Sequence, residues 1–208
     1  MKQKLLCLGD SFCASPNGWP SHLANLLDAD FISHGIGGQC WYNIVDWMDQ
    51  HPDDVARADI IVFAHTNAER IPTSNLEIGK INHSKVPETE IEHAVKLYYK
   101  HIYCHDFLRF AQKLWFKHIT DTFSDKTLVH LHCFPGHTVE ADSLLTGISI
   151  QPPLSVVSMM EKDACPNVVD ARNNHFSEEN NLVLAQEIFY AIQANKRNYT
   201  LNIDNFVL

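Results

Sequence analysis

The sequence predicts an α/β fold in which a central parallel sheet is sandwiched between two layers of helices. Three observations carry this prediction. Apolar, β-rich runs alternate with stretches of helical periodicity, the signature of strand–helix–strand crossovers. The run Asp59-Ile60-Ile61-Val62-Phe63-Ala64 is continuously apolar after its first residue, as expected of a strand buried on both faces. With 208 residues, 45% hydrophobic and 20% charged, the chain has the composition of a globular protein with a substantial core. It reads as one domain over residues 1–208, without internal repeat or low-complexity segment.

The elements follow in order. Lys4 to Leu8 is a short apolar run closed by Gly9, a buried strand. Trp19 to Leu27 has helical spacing, with Pro20 tolerated in the first turn. Asp30 to Ile36 is a second strand running into Gly35-Ile36-Gly37-Gly38. Trp41, Ile44, Val45 and Met48 mark a helix face, and Asp59–Ala64 is the third strand. Residues 68–89 are polar and punctuated by Pro72 and Pro87, which predicts a long loop, a candidate lid. Glu90 to Phe123 is helical for about nine turns, as two helices or one bent one. Its aromatic residues Tyr98, Tyr99, Tyr103, Phe107, Phe110, Trp115 and Phe116 read as a core-facing surface. Thr127 to Phe134 is a strand ended by Pro135-Gly136. Residues 136–164 read as irregular, with a short helix at Leu154–Met160, and Asn167–Asp170 as a brief final strand. Ser177, followed by Glu178 and Glu179, caps a helix to about Ala194. Lys196 to Leu208 is expected to be an extended tail that packs back on the domain.

The formal net charge of −9 argues against a general nucleic-acid or anionic-membrane surface, and no apolar stretch approaches the ~20 residues needed to span a bilayer. The apolar run after Lys4 is too short for a signal peptide. Cys7, Cys13, Cys40, Cys104, Cys133 and Cys165 are scattered without a CxxC pair, which suits free thiols in a reducing cytoplasm. Among thirteen histidines, His130 and His132 alternate along a strand near His137, and His101 and His105 share helical spacing. Nothing in their spacing sets the convergence a zinc site requires, so hydrogen-bonded or solvated histidines are expected, with no metal.

In a parallel sheet the loops leaving the carboxyl ends of strands converge on one rim. Here those loops carry Gly9-Asp10-Ser11-Phe12, Gly35-Ile36-Gly37-Gly38-Gln39, His65-Thr66-Asn67 and, last, Asp170 to His175. A serine hydroxyl becomes a competent nucleophile when an imidazole takes its proton. The oxyanion that follows attack on an ester needs preorganised donors, each worth ~3–4 kcal/mol of barrier. The Gly38 N–H, the Asn67 side-chain amide and the Ser11 N–H are the candidates. Taken alone, Ser11 reads better as a helix N-cap after a strand; His175 and Asn67 in register favour the nucleophile. Asp10 reads as structural, bonding loop amides. Cys13 and Cys40 either line the pocket or pack beneath it.

On these motifs the sequence resembles the SGNH (GDSL-like) hydrolases, whose four blocks occur here in order over residues 5 to about 194. Gly9, Asp10 and Ser11 match the first block, Gly38 the second, Asn67 the third, although His65 stands where glycine is usual, and His175 the last. The resemblance implies a flavodoxin-like three-layer α/β/α sandwich and a serine esterase. It would cleave small acyl esters, O-acetyl groups on carbohydrate among them, through an acyl-enzyme and without a cofactor. It implies a small-molecule ester or acylated carbohydrate as partner, and neither nucleic acid nor membrane.

One position departs from the pattern. Arg172, three residues before His175, occupies the place of the family's usual aspartate. Asp170 or Asn173 would then orient the imidazole, or a backbone carbonyl would, leaving a Ser11–His175 dyad; Asp170 would also stabilise the imidazolium. Arg172 would be free to bind a substrate carboxylate. Two further outcomes stay open: acyl transfer to an alcohol or sugar, and a non-catalytic carbohydrate-binding or assembly protein on the same fold.

Overall fold

A computed structural model describes residues 2–73, 75–81, 86–135, 143–164 and 175–207. Its strands are Lys4–Gly9 (β1), Asp30–Gly35 (β2), Ile60–His65 (β3), Thr127–His132 (β4), Ile148–Gln151 (β5) and Asn198–Thr200 (β6). They form one sheet in the order β2-β1-β3-β4-β5-β6, and every neighbouring pair is parallel. The helices are Trp19–Leu26 (α1), Trp41–Gln50 (α2), Pro52–Arg57 (α3), Leu76–Gly79 (α4), Glu90–His101 (α5), His105–Thr122 (α6), Leu154–Ala164 (α7) and Glu178–Ala194 (α8). The architecture is the expected three-layer sandwich.

The two-residue period of a strand divides the core in two. Leu5, Cys7, Ile60, Val62, Val129 and Leu131 point to one face and pack with Trp19 and Leu23 of α1, Val157 of α7, and Leu184 and Ile188 of α8. Leu6, Leu8, Ile61, Phe63 and Leu128 point to the other and pack with Ile44 and Met48 of α2, Val55 of α3, and Trp115, Phe116 and Ile119 of α6. The chain steps from β1 outward to β2 and then back across β1 to β3. That reversal opens a crevice at the carboxyl ends of β1 and β3, where ligands of open α/β sheets bind.

Several expectations need correction. The stretch read as irregular contains β5, a four-residue strand entered through Gly147 in a left-handed conformation (φ +97°). The tail does pack back, but as a strand pairing with β5. It is tied down by the buried Glu187 carboxylate, which accepts from the Asn202 N–H, the Tyr199 hydroxyl and Asn205 Nδ2. Asn180 adds a two-way amide bridge to the Val207 backbone. The predicted strand at residues 167–170 lies outside the described residues. The long helical stretch divides at Ile102–Cys104 into α5 and α6, so His101 and His105 belong to different helices. Trp115 and Phe116 of α6 are buried as expected, but Phe107 and Phe110 face outward.

Candidate active site

The turn after β1 is held by Asp10. Its carboxylate is fully buried and caps the 3₁₀ turn Ser11–Cys13 by accepting the Phe12 N–H through Oδ1 at 3.0 Å. The cap is therefore Asp10 and not Ser11. Ser11, half-buried, opens that turn. Asp10 Oδ2 accepts from the Thr66 hydroxyl at 3.0 Å and from Arg70 Nη1 at 3.0 Å, so β1 and the loop after β3 are cross-braced directly beneath Ser11.

The loop after β2 comes next to it. Gly35 must be glycine, since a Cβ there would lie 2.5 Å from the Cys13 backbone. A Cβ placed on Gly37 would stand 3.8 Å from the Ser11 Cβ and 3.8 Å from Lys80 Cε, so this loop runs alongside the serine. Gly38 takes φ +85°, a left-handed conformation that L side chains rarely adopt. The following Gln39 is buried and donates to the Gly9 carbonyl at 2.8 Å, while its own carbonyl accepts from Arg70 at 2.7 Å.

Asn67 lies on the loop after β3, half-buried. Its Oδ1 accepts the Glu69 N–H at 2.9 Å, which orients the side chain so that Nδ2, the donor end, points the other way. Glu69 is clasped by the α5–α6 connection. Tyr99 donates to its carbonyl at 2.9 Å, and its carboxylate lies 3.1 Å from His105 Nδ1, which Tyr103 also contacts. Burial, with Tyr98 and Glu69 beside it, pushes the Tyr99 phenol up to about 12, so it remains a donor at neutral pH.

His175 is brought to the same place from the far end of the chain. Its ring stacks on Phe12, the residue after Ser11, with centroids 5.6 Å apart and planes 10° from parallel. Phe12 also meets Phe134 edge-on at 6.0 Å, and the Arg70 guanidinium stands 5.4 Å over the Phe134 ring. The structure thus gathers Ser11, the Gly37–Gly38 turn, Asn67 and His175 on one rim. Asp170, Arg172 and Asn173 lie outside the described residues.

Cys13 and Cys40 are both buried. Burial, with Cys7 and Asp10 nearby, pushes the Cys13 thiol up, so it packs beneath the site as a neutral group. Beneath the neighbouring loops His65, His130 and His132 stack as a buried ladder with Phe63. His130 Nε2 lies 2.8 Å from the Thr146 carbonyl, and His130 Nδ1 lies 3.0 Å from His65 Nε2. A carbonyl only accepts, so His130 carries its proton on Nε2 and His65 donates to Nδ1. Desolvation, with neighbouring imidazoles, lowers both His65 and His130, the latter to about 4. Among the described residues no group of three or more His, Cys, Asp or Glu side chains is arranged to hold a metal ion.

Arg70 is the residue that sequence reasoning missed. It bonds Asp10 and the Gln39 carbonyl and covers Phe134, so one side chain ties together the loops after four strands. Its position three residues after Asn67 carried the only available signal.

No family model and no curated protein matches this chain, but solved structures share its fold. A protein described as a GDSL-like lipase from Parabacteroides merdae superposes with a TM-score of 0.57 at 12% identity, over 93% of this chain and 97% of that one. The psychrotrophic esterase EstA from Pseudoalteromonas sp., in a structure inhibited by monoethylphosphonate, gives 0.50 at 10% identity, over 93% and 98%. The acetyl xylan esterase AlAXEase gives 0.50 at 14% identity, over 90% and 98%. The architecture is that of the GDSL/SGNH hydrolases.

Proposed function

We propose that this chain is an ester hydrolase that works through Ser11 and His175. The observation that carries the reading is the placement of the His175 ring against Phe12, which brings an imidazole from near the C-terminal helix to the turn opened by Ser11. The likeness of the fold to that of a GDSL-like lipase and two esterases supports the reaction class.

In this reading Ser11 Oγ attacks the ester carbonyl carbon and passes its proton to His175. The carbonyl oxygen becomes an oxyanion held by the Gly38 N–H, the Ser11 N–H and Asn67 Nδ2. Collapse expels the alcohol, which takes the proton from the imidazolium, and leaves an acyl-serine. A water then attacks, its proton goes to His175, and the carboxylic acid departs as Ser11 recovers its hydrogen. Fixed donors of this kind need no reorganisation during the reaction. The Arg70 brace holds together the loops that carry all three of them. We assign Asp170 the orientation of the imidazole, with small acyl esters, including O-acetylated carbohydrate, as substrates.

Turnover of p-nitrophenyl acetate by wild type and by Ser11→Ala tests the proposal. Loss of the nucleophile should lower kcat by at least about 10³-fold, and a fluorophosphonate should label wild type alone. Equal rates in the two proteins would remove Ser11 from the mechanism.

A further inference from the structure

Helix α5 adds little to the apolar core. Val95 is its one buried residue among the described residues, and Ile91 and Leu97 are exposed. Its last turn nevertheless makes a directed contact with the rim of the sheet. The Tyr99 ring lies between Tyr98, edge-on at 5.4 Å, and Tyr103 at 5.2 Å. From that place its hydroxyl donates to the Glu69 carbonyl at 2.9 Å.

That carbonyl belongs to a turn built around Asn67. The Glu69 N–H donates to Asn67 Oδ1 at 2.9 Å, and the Arg70 N–H donates to the Asn67 main-chain carbonyl at 3.2 Å. Both oxygens of Asn67 are thus held by consecutive peptide groups, and rotation of those peptides would release its side chain. The Glu69 carbonyl and the Arg70 N–H are the two ends of one peptide unit. Tyr99 holds the oxygen of that unit while Asn67 holds its nitrogen, so the phenol fixes the peptide plane. A hydrogen bond at one end of a peptide also polarises it and strengthens the bond at the other. On the inner side, the Arg70 side chain ties the turn to Asp10 and to the Gln39 carbonyl. The contact between the Glu69 carboxylate and His105 contributes less, since their side chains are 41% and 47% exposed and exposed pairs are weak. The Tyr99 bond comes from a half-buried phenol.

On the reading that Asn67 Nδ2 holds the oxyanion, we infer that Tyr99 is a positioning residue for that donor, acting through the Glu69–Arg70 peptide and without touching substrate. An asparagine amide free to turn about its side-chain bonds would have to be ordered anew in each transition state. One locked through its Oδ1 is already in place when charge develops. The role requires the hydroxyl, because a phenylalanine would supply the ring without the donor.

A double-mutant cycle on p-nitrophenyl acetate hydrolysis by the full chain provides the test. Tyr99→Phe keeps the ring between Tyr98 and Tyr103 and deletes one donor, so kcat should fall about five- to tenfold with KM unchanged. In the Asn67→Ala background the same change should alter kcat less than about twofold, because the group that Tyr99 positions is gone. Amide hydrogen exchange at Glu69 and Arg70 should also quicken about five- to tenfold in Tyr99→Phe, with Val95 unchanged as the sign that α5 stays folded. Wild-type kcat in Tyr99→Phe, an equal fall in both backgrounds, or unchanged exchange at Glu69 and Arg70 would overturn the assignment while Ser11-dependent turnover stands. Turnover indifferent to Ser11→Ala would instead overturn the hydrolase reading, and the role of Tyr99 with it.

Discussion

Replacing Arg70 by methionine is expected to destabilise the protein by about 3–4 kcal/mol. Asp10 is 0% exposed, and Arg70, whose side chain is 17% exposed, is 3.0 Å from its Oδ2. Removing one partner of a buried pair leaves an uncompensated charge and typically costs about 3–5 kcal/mol. The Phe12 N–H, the Thr66 hydroxyl and, more weakly, the Cys133 thiol would still bond Asp10, and partial exposure at Arg70 admits water, so the lower end applies. The Gln39 carbonyl also loses its 2.7 Å donor, which adds about 1 kcal/mol. For a chain of this size each kcal/mol moves the melting temperature by about 2–4 °C, so Arg70→Met should melt roughly 6–16 °C lower by calorimetry. Asp10→Asn introduced into that variant removes the orphaned charge and should restore part of the loss. A shift below about 2 °C, or a double variant no more stable than Arg70→Met, would refute the brace.

Asn67→Ala should lower kcat for p-nitrophenyl acetate about 10²–10³-fold with little change in KM, because an oxyanion donor acts on the transition state. Gly38→Ala places a side chain at φ +85° and should cost about 1 kcal/mol or more, visible in urea unfolding, with a further fall in kcat. Acid should weaken the fold through the histidine ladder. His65 and His130 have folded-state values below the ordinary 6.5, His130 at about 4, so the unfolded chain binds more protons below pH 6.5 and stability falls as pH drops. Between pH 6.5 and 4 His130 alone accounts for about 3 kcal/mol. Urea midpoints at pH 7 and pH 5 measure the slope; no decline between them would contradict the buried neutral ladder.

The layer architecture was legible from the sequence because each of its signals is local. Strand runs such as Ile60–Ala64 and the Ser177 cap, where Oγ accepts the Asn180 N–H, are patterns within a few residues. So was the order of Ser11, Gly38, Asn67 and His175 along the chain, each after a strand or before the last helix. Tertiary structure decided the rest. β5 has only four residues, too few for periodicity to separate it from a loop. Arg70 finds Asp10 at a sequence separation of 60, and no local pattern reports which buried carboxylate a cation will meet. On α6, composition showed an aromatic helix, but only packing selects which of two apolar stripes is covered. The sequence by itself determined which residues could form a sheet edge rich in chemistry. Only the folded chain set the His175 ring against Phe12 and left Phe107 and Phe110 facing outward, because those outcomes depend on contacts between elements rather than on spacing within one.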